Sequence, residues 1–262
     1  MKLFLLPITF FLFALACKKD VPVIYYTDNN IVAHRGAWMD DGLPENSIAS
    51  LKRAIEMNCA GSEFDVWLTK DDSLVVAHDI KYAGKIIENN TYATLSKTRL
   101  FNGEILPTLR QYLSAASGQN QTKLFLEIKS MSYDEQKLNK VTDNILDLVS
   151  EMQMQDQLLY TSFVFYILQR VHQRLPSAKT LFLGGTLSPA TIKAAGISGL
   201  CYDIDTLTVH PDWLTDNSSY NIILSSWTVN DNDKFIWLLN NNTNYVISDA
   251  PNELFRVLDK IK

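Results

Sequence analysis

The chain has 262 residues, 47% hydrophobic and 20% charged, which is the make-up of a globular protein with one large domain or two small ones. A net charge of −5 excludes generic affinity for nucleic acid, which needs a basic face. It leaves room for small phosphate-bearing ligands that a few local cations can hold.

Residues 1–16 read as a signal peptide rather than part of the fold. Lys2 precedes an apolar run over 3–16, too short to span a bilayer as a helix. Ala14-Leu15-Ala16-Cys17 resembles a bacterial lipobox, and the polar Lys18-Lys19-Asp20 follows at once. This predicts lipidation of Cys17 and a membrane-tethered protein of the bacterial cell envelope, periplasmic or surface-exposed. A plain secretory signal, or a weak anchor with an incidental cysteine, is the alternative. Residues 17–30 form a polar leader. Cys59 and Cys201 read as buried free thiols.

From 31 to 262 strand-like and helix-like segments alternate. Strands are predicted at Ile31–His34, Ser62–Leu68, Lys123–Lys129, Leu158–Ser162, Thr180–Leu183, Gly199–Ile204, Asn221–Trp227 and Tyr245–Ser248. They are short, apolar and rich in β-branched or aromatic residues, as strands buried on both faces should be. Helical spacing joins Ile48, Leu51 and Ile55, then Leu138, Val141, Ile145, Leu148 and Met152, then Phe235, Leu238 and Leu239, and finally Leu254, Val257, Leu258 and Ile261. Ser188-Pro189 marks one helix start. Leu74–His78 is an extra extended piece, and residues 80–107 have no strong period before Pro107 restarts a helix. The stretch reads as an insertion over one end of the fold. Eight strands in strict alternation predict an α/β fold of the (β/α)₈ TIM-barrel type. A doubly wound open sheet is the competitor, but its glycine-rich phosphate turn is missing after the first strand.

In such a barrel the site lies where the strands end. The first strand ends in His34-Arg35. The second carries Glu63 and Asp65, two apart and so on one face. The extra segment ends in His78-Asp79, the third strand in Glu127 and Lys129, the seventh in Trp227 and the eighth in Ser248-Asp249. Glu63, Asp65 and Glu127 would repel one another in a shared pocket unless a cation joined them. An all-oxygen ligand set selects a hard divalent ion, Ca²⁺ or Mg²⁺, over zinc. Arg35 and Lys129 suit an anion beside it, with phosphate the natural one. Two histidines can serve as general acid and base on opposite faces of a phosphorus. Together these describe hydrolysis of a phosphate ester.

HRG at 34–36, PENS at 44–47, EFD at 63–65, TKDDSLVVAHD at 69–79 and LEIK at 126–129, with WTVND at 227–231 and ISDAP at 247–251, resemble the glycerophosphodiester phosphodiesterase family. The resemblance spans almost the whole chain after the leader. It implies a TIM barrel that cuts glycerophosphodiesters to glycerol 3-phosphate and an alcohol. Glu63, Asp65 and Glu127 would ligate one divalent cation, His34 and His78 would form the catalytic pair, and Arg35 and Lys129 would bind phosphate. Trp227 would pack against glycerol. Glu45 would orient a histidine or a metal-bound water, and Asp79 or Asp249 a histidine or Arg35. Which histidine is the base is open. The acidic WMDDG after the first strand departs from the family pattern and could wall the site. Residues 80–107 lack its Arg-Thr-rich segment, so the headgroup pocket there is the least secure transfer.

Each residue also has a plainer explanation. Either histidine could be a hydrogen-bonded structural residue, the carboxylates could be interior partners of Arg35 and Lys129, and Trp227 could be core. Glu45 could simply favour a helix dipole. His172 and His210 read as surface residues. Two rival functions remain: a non-catalytic module that captures phosphorylated headgroups, and a lysophospholipase D-like reaction on the same site. A module that has lost catalysis usually lacks a base or a ligand, and here the set is complete.

Overall fold

The computed structural model describes residues 29–215 and 220–261; the predicted signal, Cys17 and most of the leader lie outside the described residues. In chain order the strands are β1 (Ile31–Ala33), β2 (Gly61–Leu68), β3 (Leu74–Val76), β4 (Lys81–Tyr82), β5 (Lys85–Ile86) and β6 (Lys123–Ile128). Then come β7 (Leu158–Ser162), β8 (Lys179–Phe182), β9 (Gly199–Asp203), β10 (Ile223–Trp227) and β11 (Tyr245–Ser248). Eight pair in parallel as β1-β11-β10-β9-β8-β7-β6-β2, and pairing of β1 with β2 closes the (β/α)₈ barrel. β3 lies antiparallel on β2, and β4 with β5 forms a separate hairpin.

All eight predicted barrel strands exist, with ends shifted by a residue or two. His34 and Lys129 fall just past β1 and β6, yet their N–H groups still donate to Ser248 and Val66 across the ladder. Ile204 starts a helix instead of ending β9. The helices run back outside the sheet, each with one buried stripe. Leu138, Val141, Ile145 and Val149 form the stripe of helix Glu135–Glu151. Helix starts are capped as the side chains dictate: Ser47 with Ser50 in a reciprocal box, Thr108 for the helix that Pro107 announces, and Ser188 before Pro189.

Inside the barrel, Val32, Phe125, Leu159, Leu181, Cys201 and Ile247 pack together. Gly61 belongs to this interior: a Cβ there would stand 2.5 Å from Phe125 Cε2 and 2.8 Å from Cδ2. Gly61→Ala is therefore expected to destabilise the barrel by roughly 1–3 kcal/mol, the range for over-packing a filled core. A urea midpoint lowered at constant m-value is the result to look for, and an unchanged midpoint contradicts the packing. Cys59 and Cys201 are buried and free, as expected, and burial pushes the Cys59 thiol up to about 12.

The aperiodic insertion has its own small core. Ile87, Leu95 and Leu106 pack on Trp67, Val75 and Ala77, with Tyr82 and Tyr92 at the edge. Glu104 accepts from the Ile48 and Ala49 N–H groups, so the insertion is pinned to a helix N-terminus at the strand-end rim. This attaches it beside that end of the barrel.

Candidate active site

The turn after β1 explains why the sequence reads His-Arg-Gly. Arg35 and Gly36 both take positive φ, 56° and 80°, and a Cβ on Gly36 would run into Ser50. Only glycine combines that backbone with that approach. The turn aims the Arg35 N–H at Glu63 Oε2, 2.9 Å away, and brings His34 Nε2 to 3.9 Å from the same oxygen.

PENS then supplies three separate supports. Glu45 takes the Arg35 guanidinium at 2.8 Å. Asn46 donates to Asp65 Oδ2 at 2.8 Å and accepts from the Asp65 N–H at 3.1 Å. Ser47 caps the helix. The Glu45 partner is thus Arg35, where the sequence reading placed a histidine or a metal-bound water.

Glu63, Asp65 and Glu127 are nearly fully buried and offer ligand oxygens all within 4.8 Å of one another. Lys129 Nζ lies 3.0 Å from Asp65 Oδ1 and 2.7 Å from Glu127 Oε1. Glu63 has no such ammonium; burial first, then the Asp65 and Glu127 charges, holds its carboxyl well above the usual range. Burial and Asp65 likewise push Glu127 up to about 8, against the pull of Lys129. For Asp65 burial acts in the same direction, but Lys129 and the Asn46 hydrogen bond outweigh it and bring the carboxyl below its usual value. Three convergent carboxylates with one lysine among them leave anionic capacity for a second cation. The all-oxygen donors fit a hard divalent ion.

His34 Nδ1 stands 2.6 Å from Asp249 Oδ1. A carboxylate only accepts, so Nδ1–H is the donor in this contact and Nε2 is the nitrogen left for proton transfer in the cavity. Burial raises Asp249, but hydrogen bonds from His34 and Asn230 more than reverse this and keep it ionised. Asn230 also accepts from the Asp249 N–H and the Ser248 hydroxyl. His78 has the same arrangement with Asp79 at 3.0 Å, though Asp79 is largely exposed. Both histidines line one cavity of about 180 Å³ with Arg35, Glu63, Glu127, Lys129, Phe163 and Trp227. Trp227 meets Phe163 edge to face at 5.6 Å, and its N–H donates to the Cys201 carbonyl.

The structure therefore brings all eight predicted catalytic, metal and substrate residues to one rim. No residue of 80–107 is among those lining this cavity. His172 and His210 are only partly exposed, and His210 stacks on Trp213. Three contributors were missed. Asn46 and Asn230 lie inside quoted motifs and went unassigned because amides carry no charge signal. Phe163 is two residues past the inward Thr161, and period-two counting along β7 would have found it.

A barrel with convergent carboxylates, two oriented histidines and two cations at its strand ends defines a phosphoester-hydrolase class of site. The model of the glycerophosphoryl diester phosphodiesterase family matches residues 34–253, and the chain belongs to that family. It is similar to the glycerophosphodiester phosphodiesterase of Caldanaerobacter subterraneus, 25% identical over 246 residues, covering 88% of this chain and 98% of that one. A crystal structure of a glycerophosphodiester phosphodiesterase from Parabacteroides distasonis superposes with a TM-score of 0.86 at 34% identity, over 88% of this chain and 97% of that one. The structure of an Oleispira antarctica phosphodiesterase in complex with the product sn-glycerol-3-phosphate shares the fold at a TM-score of 0.75 and 22% identity, over 88% and 96% of the two chains.

Proposed function

We propose that this chain hydrolyses glycerophosphodiesters to glycerol 3-phosphate and an alcohol in a metal-dependent reaction with His34 and His78 as the proton-transfer pair. The observation that carries the reading is the shared cavity: two carboxylate-held histidines face it together with the carboxylate cluster and Arg35. Glu63, Asp65 and Glu127 would hold one Ca²⁺ or Mg²⁺, which when bound would neutralise charge on a phosphoryl oxygen. Arg35 is tied to Glu45 through one nitrogen, and the rest of its guanidinium supplies donors to phosphate; its Nε is buried without a partner. Lys129 adds positive charge at the same wall, and Trp227 gives a flat apolar face for the glycerol carbons. One histidine accepts a proton from the attacking oxygen while the other donates to the departing alcohol. Water attacking directly gives glycerol 3-phosphate at once, whereas attack by a glycerol hydroxyl gives a cyclic phosphate that water then opens with the two roles reversed. The Oleispira complex with sn-glycerol-3-phosphate supports the product assigned here. Phosphorus NMR of glycerophosphocholine turnover tests the bond cut: glycerol 3-phosphate is expected, and phosphocholine would contradict the assignment.

The raised carboxyls give the metal a pH signature. Without metal, Glu63 and Glu127 bind protons more tightly folded than unfolded, so their contribution is fully present below about pH 4.5 and is lost as pH rises through about 8. A divalent cation favours the ionised forms. The rise in Tm on adding Ca²⁺ or Mg²⁺ is therefore expected to be larger at about pH 8.5 than at about pH 6. Equal rises at both would contradict a carboxylate-bound metal. Lipidation of Cys17, and with it the envelope location, belongs to the same proposal and rests on the lipobox resemblance; mass spectrometry of the mature N-terminus checks it.

A further inference from the structure

We propose that the mouth-side lobe of residues 80–107, with the neighbouring loop after β6, is a docking surface for an anionic lipid bilayer. The lobe has already built its core, so the large apolar side chains left outside are not there for folding. Ile80, Phe101 and Ile105 are exposed on it, Phe101 at 77%. Met131 and Tyr133 are exposed on the adjoining loop, Tyr133 at 85%, and the Met131 N–H donates to Glu88 of the lobe, which joins the two pieces. Glu104 pins the lobe to the strand-end rim, so this surface flanks the cavity mouth.

The charge pattern selects the occupant. In a chain of net −5, residues 80–107 carry four cations, Lys81, Lys85, Lys97 and Arg99, all exposed, against two carboxylates. Both carboxylates are spent internally, Glu88 on the Met131 N–H and Glu104 on the helix N-terminus. These cations face no carboxylate among the described residues, Arg99 being bonded only to the Gly103 carbonyl. Exposed aromatic and aliphatic side chains interleaved with such cations are the chemistry of a membrane interface, where the rings enter the headgroup layer and the cations meet anionic lipid. A second copy docked through the same patch would set these cations against their own equivalents, and like charges oppose that pairing. The inference does not depend on catalysis, so it stands or falls apart from the activity assignment.

Vesicle flotation tests it with the chain begun at Lys18, which keeps every described residue and removes the Cys17 anchor. Vesicles of phosphatidylcholine with about one-third phosphatidylglycerol should carry at least tenfold more protein than pure phosphatidylcholine, less so as salt rises. The Lys81→Gln, Lys85→Gln and Lys97→Gln triple variant should lose roughly tenfold or more of that binding, and Phe101→Ser with Tyr133→Ser a comparable amount. All five positions are exposed and outside the cavity, so the thermal unfolding midpoint followed by circular dichroism should be unchanged and certifies the fold. No preference for anionic vesicles, or full binding by both variants, overturns the proposal. So does a dimer in sedimentation that Phe101→Ser dissociates, because a second copy would then be the occupant.

Discussion

His34→Ala is expected to lower kcat for glycerophosphodiester hydrolysis by roughly 10²–10⁴-fold, the range for losing a positioned acid or base, and His78→Ala by a similar factor. The expectation follows from the geometry rather than from the presence of two histidines. Each ring is fixed through Nδ1 by a carboxylate, which leaves Nε2 to act. The two supports are unequal, since Asp249 is mostly covered and held by Asn230 whereas Asp79 is 78% exposed. Asp249→Asn should therefore depress kcat more than Asp79→Asn, with little change in KM. The metal-induced rise in Tm should survive in both histidine variants, because neither ring is among the proposed ligands. Near-full turnover by either alanine variant would remove that histidine from the chemistry.

Glu63→Gln should produce the second large effect, in two opposite directions. The amide keeps an acceptor for the Arg35 N–H but removes the least compensated charge of the cluster. Metal affinity, read by calorimetry or by the metal concentration giving half-maximal activity, should fall by at least the roughly 10–100-fold that follows loss of an outer-shell partner. The metal-free protein should meanwhile be more stable than wild type at about pH 8.5, because a buried carboxylate no longer has to ionise beside Asp65 and Glu127. A variant that binds metal like wild type contradicts the ligand assignment. Weaker metal binding without the gain in metal-free stability would place the damage in the fold instead.

The fold was legible because its signals are local and repeated. Apolar strands such as Leu158–Ser162 and stripes such as Leu138-Val141-Ile145 each bury a face whatever their neighbours do. The rim was legible because charged residues at strand ends share an inward face by period two, as Glu63 and Asp65 do. Pairing was not legible. That Glu45 meets Arg35 and that Asn46 clasps Asp65 depend on how the chain bends at the Arg35-Gly36 turn, which packs against Ser50. That Lys129 bridges two carboxylates depends on the β2–β6 register that sets Asp65 beside Glu127. The insertion showed no strong period for a related reason. Its core forms only against Trp67 and Val75, so no short window of 80–107 shows a period.

The most direct measurement is glycerol 3-phosphate release from glycerophosphocholine by protein stripped with EDTA, before and after Ca²⁺ or Mg²⁺ is restored. Negligible release from the stripped protein and recovery with the divalent ion is the predicted result, with no recovery in Glu63→Gln at the same metal concentration. Undiminished release by folded, fully stripped protein would contradict metal-dependent hydrolysis at this rim.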